Sequence, residues 1–159
     1  MNLTTMALDF YSKAFQLSDG SVVNVFIYDT CGQEKYNAIN KSYYHKADAI
    51  LLVYDISNKR SFNTIKKFYC QKIKEFCKKN IPIILLGNKA DLSREVKTEE
   101  GIALALQEKY KFKETSCVKN ENVADAFEAL IEMWNIENSN NNNTENSSQR
   151  LSSQINKNK

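Results

Sequence analysis

A single histidine and four cysteines, at positions 31, 70, 77 and 117 with no CxxC pair, leave too few soft ligands for zinc and too little pattern for a disulfide framework. Reduced thiols and a cytoplasmic location are the resulting expectation. Long apolar runs are absent as well. Ile50 to Tyr54 and Ile81 to Leu86 fall far short of the ~20 residues that cross a bilayer, and the N-terminus carries no signal-peptide pattern. The four glycines, at 20, 32, 87 and 101, cannot build a GxxxxGK[ST] phosphate loop, and no such pattern occurs in these residues. A net charge of +3 supplies no basic stripe, so no nucleic-acid partner is expected, and lysines along the helices read as a solvated face.

What is present is a chain with 42% hydrophobic and 26% charged residues, enough for one globular core. Its organising stretch is Tyr28-Asp29-Thr30-Cys31-Gly32-Gln33-Glu34. Val22 to Tyr28 alternates and is rich in β-branched and aromatic residues, which predicts a strand delivering Asp29 to its C-terminal edge. Ligands of open α/β sheets sit at that edge. An Asp there can hold Mg²⁺, Gly32 can let a backbone N–H approach a phosphate, and Gln33 can orient a water for in-line attack. The competing reading is a strand-to-loop turn whose Asp and Gly are only turn formers. Upstream, Thr5 sits in a polar start where its hydroxyl is either a Mg²⁺ ligand or part of a frayed terminus.

Elements follow from pattern. Leu8 to Leu17 is extended in character, and with Val22 to Phe26 it predicts an antiparallel hairpin around Asp19-Gly20. Lys35 to Lys46 has roughly helical spacing. Ala49 to Asp55 and Ile81 to Leu86 read as buried parallel strands. Between them Phe62, Ile65, Tyr69, Ile73 and Phe76 mark a core-facing helix capped by Ser57 or Asn58, with Cys70 and Cys77 beside that face as packing residues. A helix from about Thr98 to Tyr110, a short strand near Phe112 to Glu114 and a helix after Asn122 complete a doubly wound α/β sheet. Nine asparagines and five serines in residues 135–159 predict a disordered tail, so the expected organisation is a domain over 1–136 and a tail over 137–159.

Polar clusters fall at three predicted strand ends: Asp29 to Gln33, Asn88 to Asp91, and Thr115 to Cys117. Asn-Lys-Ala-Asp in an Asn- and Lys-rich chain can arise by accident, but its place directly after a buried strand favours a site. Asp91 can accept two hydrogen bonds from guanine N1–H and N2, a pattern that adenine does not offer. Lys89 can lay its stem along a base plane, and backbone near Ser116 and Cys117 can donate to the guanine oxygen.

With these residues the chain resembles the Ras-like small GTPases, and among them the Rab group, from Thr5 to Trp134. The family's DxxGQ motif stands as Asp29-Thr30-Cys31-Gly32-Gln33, its NKxD as Asn88-Lys89-Ala90-Asp91, and its ETSA loop as Glu114-Thr115-Ser116-Cys117. Rab character lies in Leu8-Asp9-Phe10, in Ser42-Tyr43-Tyr44 and in Leu52-Val53-Tyr54-Asp55-Ile56-Ser57. The resemblance implies GTP or GDP with Mg²⁺, Thr5 and Asp29 serving the metal, Gln33 positioning water, and an aromatic effector surface of Phe10, Tyr28 and Tyr43. It also implies effector, exchange-factor and activating-protein partners. The implied fold is the P-loop NTPase fold, a mainly parallel sheet with one antiparallel hairpin, here lacking its first strand, phosphate loop and first helix. A shortened gene model is the expected cause. Cys31, Tyr28, Ala7 and Val118 replace the usual alanine, tryptophan, glycine and lysine. The last cysteine is Cys117, so the family's C-terminal prenylation cysteines, and with them membrane anchorage, are not expected. The function implied is a GTP-hydrolysing switch in vesicle trafficking or signalling. The alternative is a non-catalytic interaction module that keeps the guanine-reading and effector surfaces. A receiver-like or flavin-binding domain stands third, because neither needs NKxD and ETS at successive strand ends.

Overall fold

The computed structural model describes residues 9–30, 37–77 and 81–139. Strands β1 (Asp9–Gln16) and β2 (Val22–Asp29) form the expected antiparallel hairpin, with Phe10 opposite Tyr28 and Gln16 opposite Val22. Its connection is longer than a two-residue Asp-Gly turn. Leu17 N–H donates to Ser21 O at 2.8 Å, Asp19 Oδ1 accepts from the Ser21 N–H and hydroxyl, and Gly20 takes the positive φ of 85° that closes the loop.

Helix α1 (Asn37–Lys46) leads to β3 (Ile50–Asp55), which pairs in parallel with β4 (Ile83–Asn88), and β4 pairs in parallel with β5 (Lys111–Thr115). The hairpin and this three-stranded sheet are separate sheets among the described residues. Alternation along β4 splits the core. Ile83 and Leu85 join Leu52, Tyr54, Phe62, Ile73 and Leu104 on one face, while Ile84 and Leu86 pack with Ala126 and Leu130 on the other. Helices therefore cover both faces, as a doubly wound sheet requires. The run read as covered on both sides has one exception, Val53, which is 49% exposed on the edge strand β3.

Asn58, not Ser57, caps the next helix, its side chain accepting from the Arg60 and Ser61 N–H groups. That helix is α2 (Lys59–Thr64), a π turn over Ile65–Tyr69, and α3 (Cys70–Phe76). The π turn has a sequence cause: Ile65 and Cys70 are five apart and both buried, and the Cys70 N–H donates to Ile65 O. Cys70 thus enters the core stripe, and Tyr69 is only half-buried. Burial pushes the Cys70 and Cys77 thiols up to about 11, which keeps them protonated.

Helix α4 (Thr98–Glu108) ends two residues earlier than expected, because Lys109 takes the left-handed cap at φ 62°. The last helix, α5, is described over residues 123–139, so residues 137–139, expected in the tail, are helical. The remainder of that tail lies outside the described residues. The hairpin seats against α5 through Phe15 and Phe127, stacked at 6.4 Å, and through Ser18 N–H donating to Glu132 at 2.8 Å. Among the described residues no helix is long and apolar enough to cross a membrane.

Candidate functional site

Parallel pairing sets Asp55, Asn88 and Thr115 side by side at the C-terminal ends of β3, β4 and β5. Beyond them the chain turns sharply twice, and both turns are tied down. Ala90 N–H donates to Thr115 O at 3.0 Å, joining the loop after β4 to the end of β5. Ser116 exchanges backbone bonds with Glu121 (N to O 3.1 and 2.9 Å), and the Asn122 side-chain amide donates to Glu114 O at 2.9 Å.

The side chains converge on this frame. Asp91, partly buried, accepts from the Ser116 hydroxyl at 2.5 Å, and that bond holds its carboxyl below the usual carboxylate range. Ser116 is fully buried, so the acceptor is held by an immobile donor. Asn88 Oδ1 accepts from the Thr115 hydroxyl at 3.2 Å and faces the Cys117 thiol at 3.6 Å. Lys89 stands in a left-handed backbone conformation, φ 68°, and its ammonium lies 2.6 Å from Asp55 Oδ2. The Ser116 N–H is engaged by Glu121, whereas the Cys117 N–H has no acceptor among the described residues. Of the two, the Cys117 N–H is therefore the one available as a donor. Five of the sequence-predicted residues, Asn88, Lys89, Asp91, Ser116 and Cys117, are thus brought together.

Asp29 is exposed at the end of β2, in the other sheet. Thr5, Gly32 and Gln33 lie outside the described residues. Asp29 offers the hard oxygen that Mg²⁺ prefers, but among the described residues no group of three His, Cys, Asp or Glu side chains could hold a metal ion.

Phe10, Tyr28 and Tyr43 form one aromatic strip: Phe10 meets Tyr28 at 5.3 Å between ring centroids, and Tyr28 meets Tyr43 at 5.2 Å. Sequence reasoning missed Phe26, which is 59% exposed and stacks on Phe10 at 5.9 Å. Its signal was the period of two that places Phe26 and Tyr28 on one strand face. It also missed Asp55, whose position opposite Asn88 depends on strand register.

Comparison with known proteins adds a family. A sequence model described as the Ras family matches residues 2–135. The protein called Ras-related protein Rab-15 in Homo sapiens is 40% identical over 134 residues, which is 83% of this chain and 62% of that protein. Human Ras-related protein Rab-37 is 40% identical over 130 residues, 80% of this chain and 57% of that protein. Ras-related protein RIC2 of Oryza sativa subsp. japonica is 38% identical over 136 residues, covering 84% and 62%. The chain spans less than two thirds of the length of these relatives.

Proposed function

The chain belongs to the Ras family as a Rab-like member, and on that premise we propose that it is a guanine-nucleotide switch whose base is read at the ends of β4 and β5. One observation carries the reading: the Asp91 carboxylate, fixed by buried Ser116, stands where two sheet-end loops meet, with Lys89 and the Cys117 N–H beside it. Guanine presents two adjacent N–H donors to such a carboxylate and an oxygen to the Cys117 N–H. Adenine offers neither match and would leave the acceptor without its donors. Asp91 is half-exposed and already bonded, so selection rests on matched donors more than on a buried unpaired charge.

In this reading Gly32 and Gln33 serve the phosphate end, Gln33 aligning the attacking water, and Thr5 and Asp29 hold the Mg²⁺ that accompanies GTP and neutralises its phosphate charge. Effector, exchange-factor and activating proteins would meet the Phe26, Phe10, Tyr28 and Tyr43 strip and the segments beside it, in vesicle trafficking or signalling. Asp91→Asn tests the base assignment. Titrated with guanosine, adenosine and xanthosine monophosphates, the unsubstituted chain is expected to prefer guanine, and the variant xanthine, with a reversal of roughly tenfold. An unchanged preference makes residues 88–91 an ordinary polar loop.

The completeness of the aromatic strip also favours the second reading, a non-catalytic interaction module. Single-turnover hydrolysis by the chain joined to the phosphate-loop segment of a Rab relative separates the two. Gln33→Leu in that chimera is expected to slow hydrolysis roughly tenfold or more at unchanged affinity.

A further inference from the structure

Asp55 ends β3 directly opposite Asn88, and its carboxylate is divided between two tasks. Oδ1 accepts from the Ser57 N–H at 2.9 Å and from the Ser57 hydroxyl at 2.7 Å, while Oδ2 takes the Lys89 ammonium at 2.6 Å. The backbone beneath it is fixed as well. Asp55 N–H donates to Ser61 Oγ at 3.0 Å, the Ser61 hydroxyl returns to Asp55 O at 3.1 Å, and Ile56 N–H donates to Asn88 O at 3.0 Å. Burial raises the Asp55 carboxyl, but the Lys89 and Ser57 bonds outweigh it and hold it below 3.8, so it stays ionised at neutral pH. A lysine stem has four rotatable bonds, and an untethered one samples many rotamers that binding must freeze. Here both ends of the Lys89 stem are pinned, one by the left-handed backbone and one by Asp55.

The geometry points to Asp55 as a positioning residue that anchors the Lys89 ammonium, so that the Lys89 stem stands ready as the wall along which the purine lies. This rests on the guanine-site reading. Asp55 touches no base. It acts through Lys89, and its effect must vanish when Lys89 is gone.

The test is a double-mutant cycle on the full 159-residue chain, isotope-labelled and titrated with GMP, with AMP as control. Asp55→Asn is expected to weaken GMP roughly three- to tenfold, and to change it less than about twofold in a Lys89→Ala background. Without nucleotide, Asp55→Asn is expected to increase the mobility of the Lys89 ε-methylene. The preference for GMP over AMP, set at Asp91, is expected to survive. Equal weakening in both backgrounds, or none in either, overturns the inference, as does a Lys89 ε-methylene no more mobile than before. Should Asp55→Asn fail to fold, Ser57→Ala asks the same question by removing the hydroxyl bond to Oδ1 while keeping the Ser57 N–H bond and the charge. It is expected to weaken GMP about twofold only while Lys89 is present, and the same loss without Lys89 overturns the inference. No GMP response at residues 88–91 and 115–117 in the unsubstituted chain removes the guanine-site reading itself, and this inference with it.

Discussion

Lys89 occupies backbone space that glycine fills without penalty, and a side chain there costs on the order of 1 kcal/mol. The ion pair to Asp55, between groups 35% and 20% exposed, returns no more than about that amount. Lys89→Ala keeps the strain and loses the pair, whereas Lys89→Gly loses both. The glycine variant is therefore expected to be more stable than the alanine variant by ~1 kcal/mol in denaturant titrations, with guanine binding weakened in each. Equal stabilities would mean that φ at this position is relaxed in solution. Glu114 is a second residue whose role can be weighed. It accepts from two Arg94 nitrogens at 2.9 and 3.0 Å and from the Thr98 hydroxyl at 3.0 Å. Chiefly through the Arg94 bonds, its carboxyl is held below 4.5. A carboxyl lowered on folding stabilises the protein above its unfolded value and loses that contribution as pH falls toward the folded one. With Arg94 38% exposed, the contribution is ~1 kcal/mol at most. Glu114→Gln is expected to be less stable by that amount at pH 7 and to converge with the unsubstituted protein as pH falls below the ordinary glutamate range in melting curves.

Helix α4 is held against the sheet by an absence. A methyl group on Gly101 would stand 2.5 Å from Phe112, partly buried against the core, and 2.6 Å from the hydroxyl of the buried Tyr54. Alanine improves helix propensity by about 1 kcal/mol, yet overpacking of this kind costs ~1–3 kcal/mol. The clash is expected to win, so Gly101→Ala should lower stability by on the order of 1–2 kcal/mol, measured by denaturant unfolding. A stabilised variant would show that α4 can lift from β5 without loss. At the other end of α4, Lys109 holds the left-handed cap, with its N–H donating to Ala105 O and Leu106 O. There is no clash to oppose the exchange, and Lys109→Gly is expected to stabilise by ~0.5–1 kcal/mol.

At the scale of the molecule, the described base site belongs wholly to the three-stranded sheet, while Asp29 and the aromatic strip belong to the hairpin. No GxxxxGK[ST] pattern stands anywhere in the 159 residues to cradle β- and γ-phosphates. The chain by itself is therefore expected to bind GTP weakly or not at all, no tighter than GMP and without dependence on Mg²⁺, in calorimetric titration. Tight, Mg²⁺-dependent GTP binding by these residues would show that another segment supplies the phosphate cradle.

The chain by itself determined the periodic elements and the order of the motifs. Two apolar runs read as strands, Phe62 to Phe76 as one helix with a buried stripe, and the polar clusters follow those strands directly, so a rim of strand ends was legible before any coordinate. Local pattern carries this much because burial acts on residues two or four apart. Tertiary structure decided which of several possible partners each group took. It placed Asp55 beside Lys89 through strand register, moved Cys70 into the core through a π turn, and gave the Ser116 N–H to Glu121, leaving that of Cys117 available as a donor. It also seated the hairpin on α5 apart from the parallel sheet. The Asp55–Lys89 pair and the seat of the hairpin on α5 join segments tens of residues apart, while the Cys70 and Ser116 bonds are local alternatives, and only packing and hydrogen bonding in three dimensions choose among them.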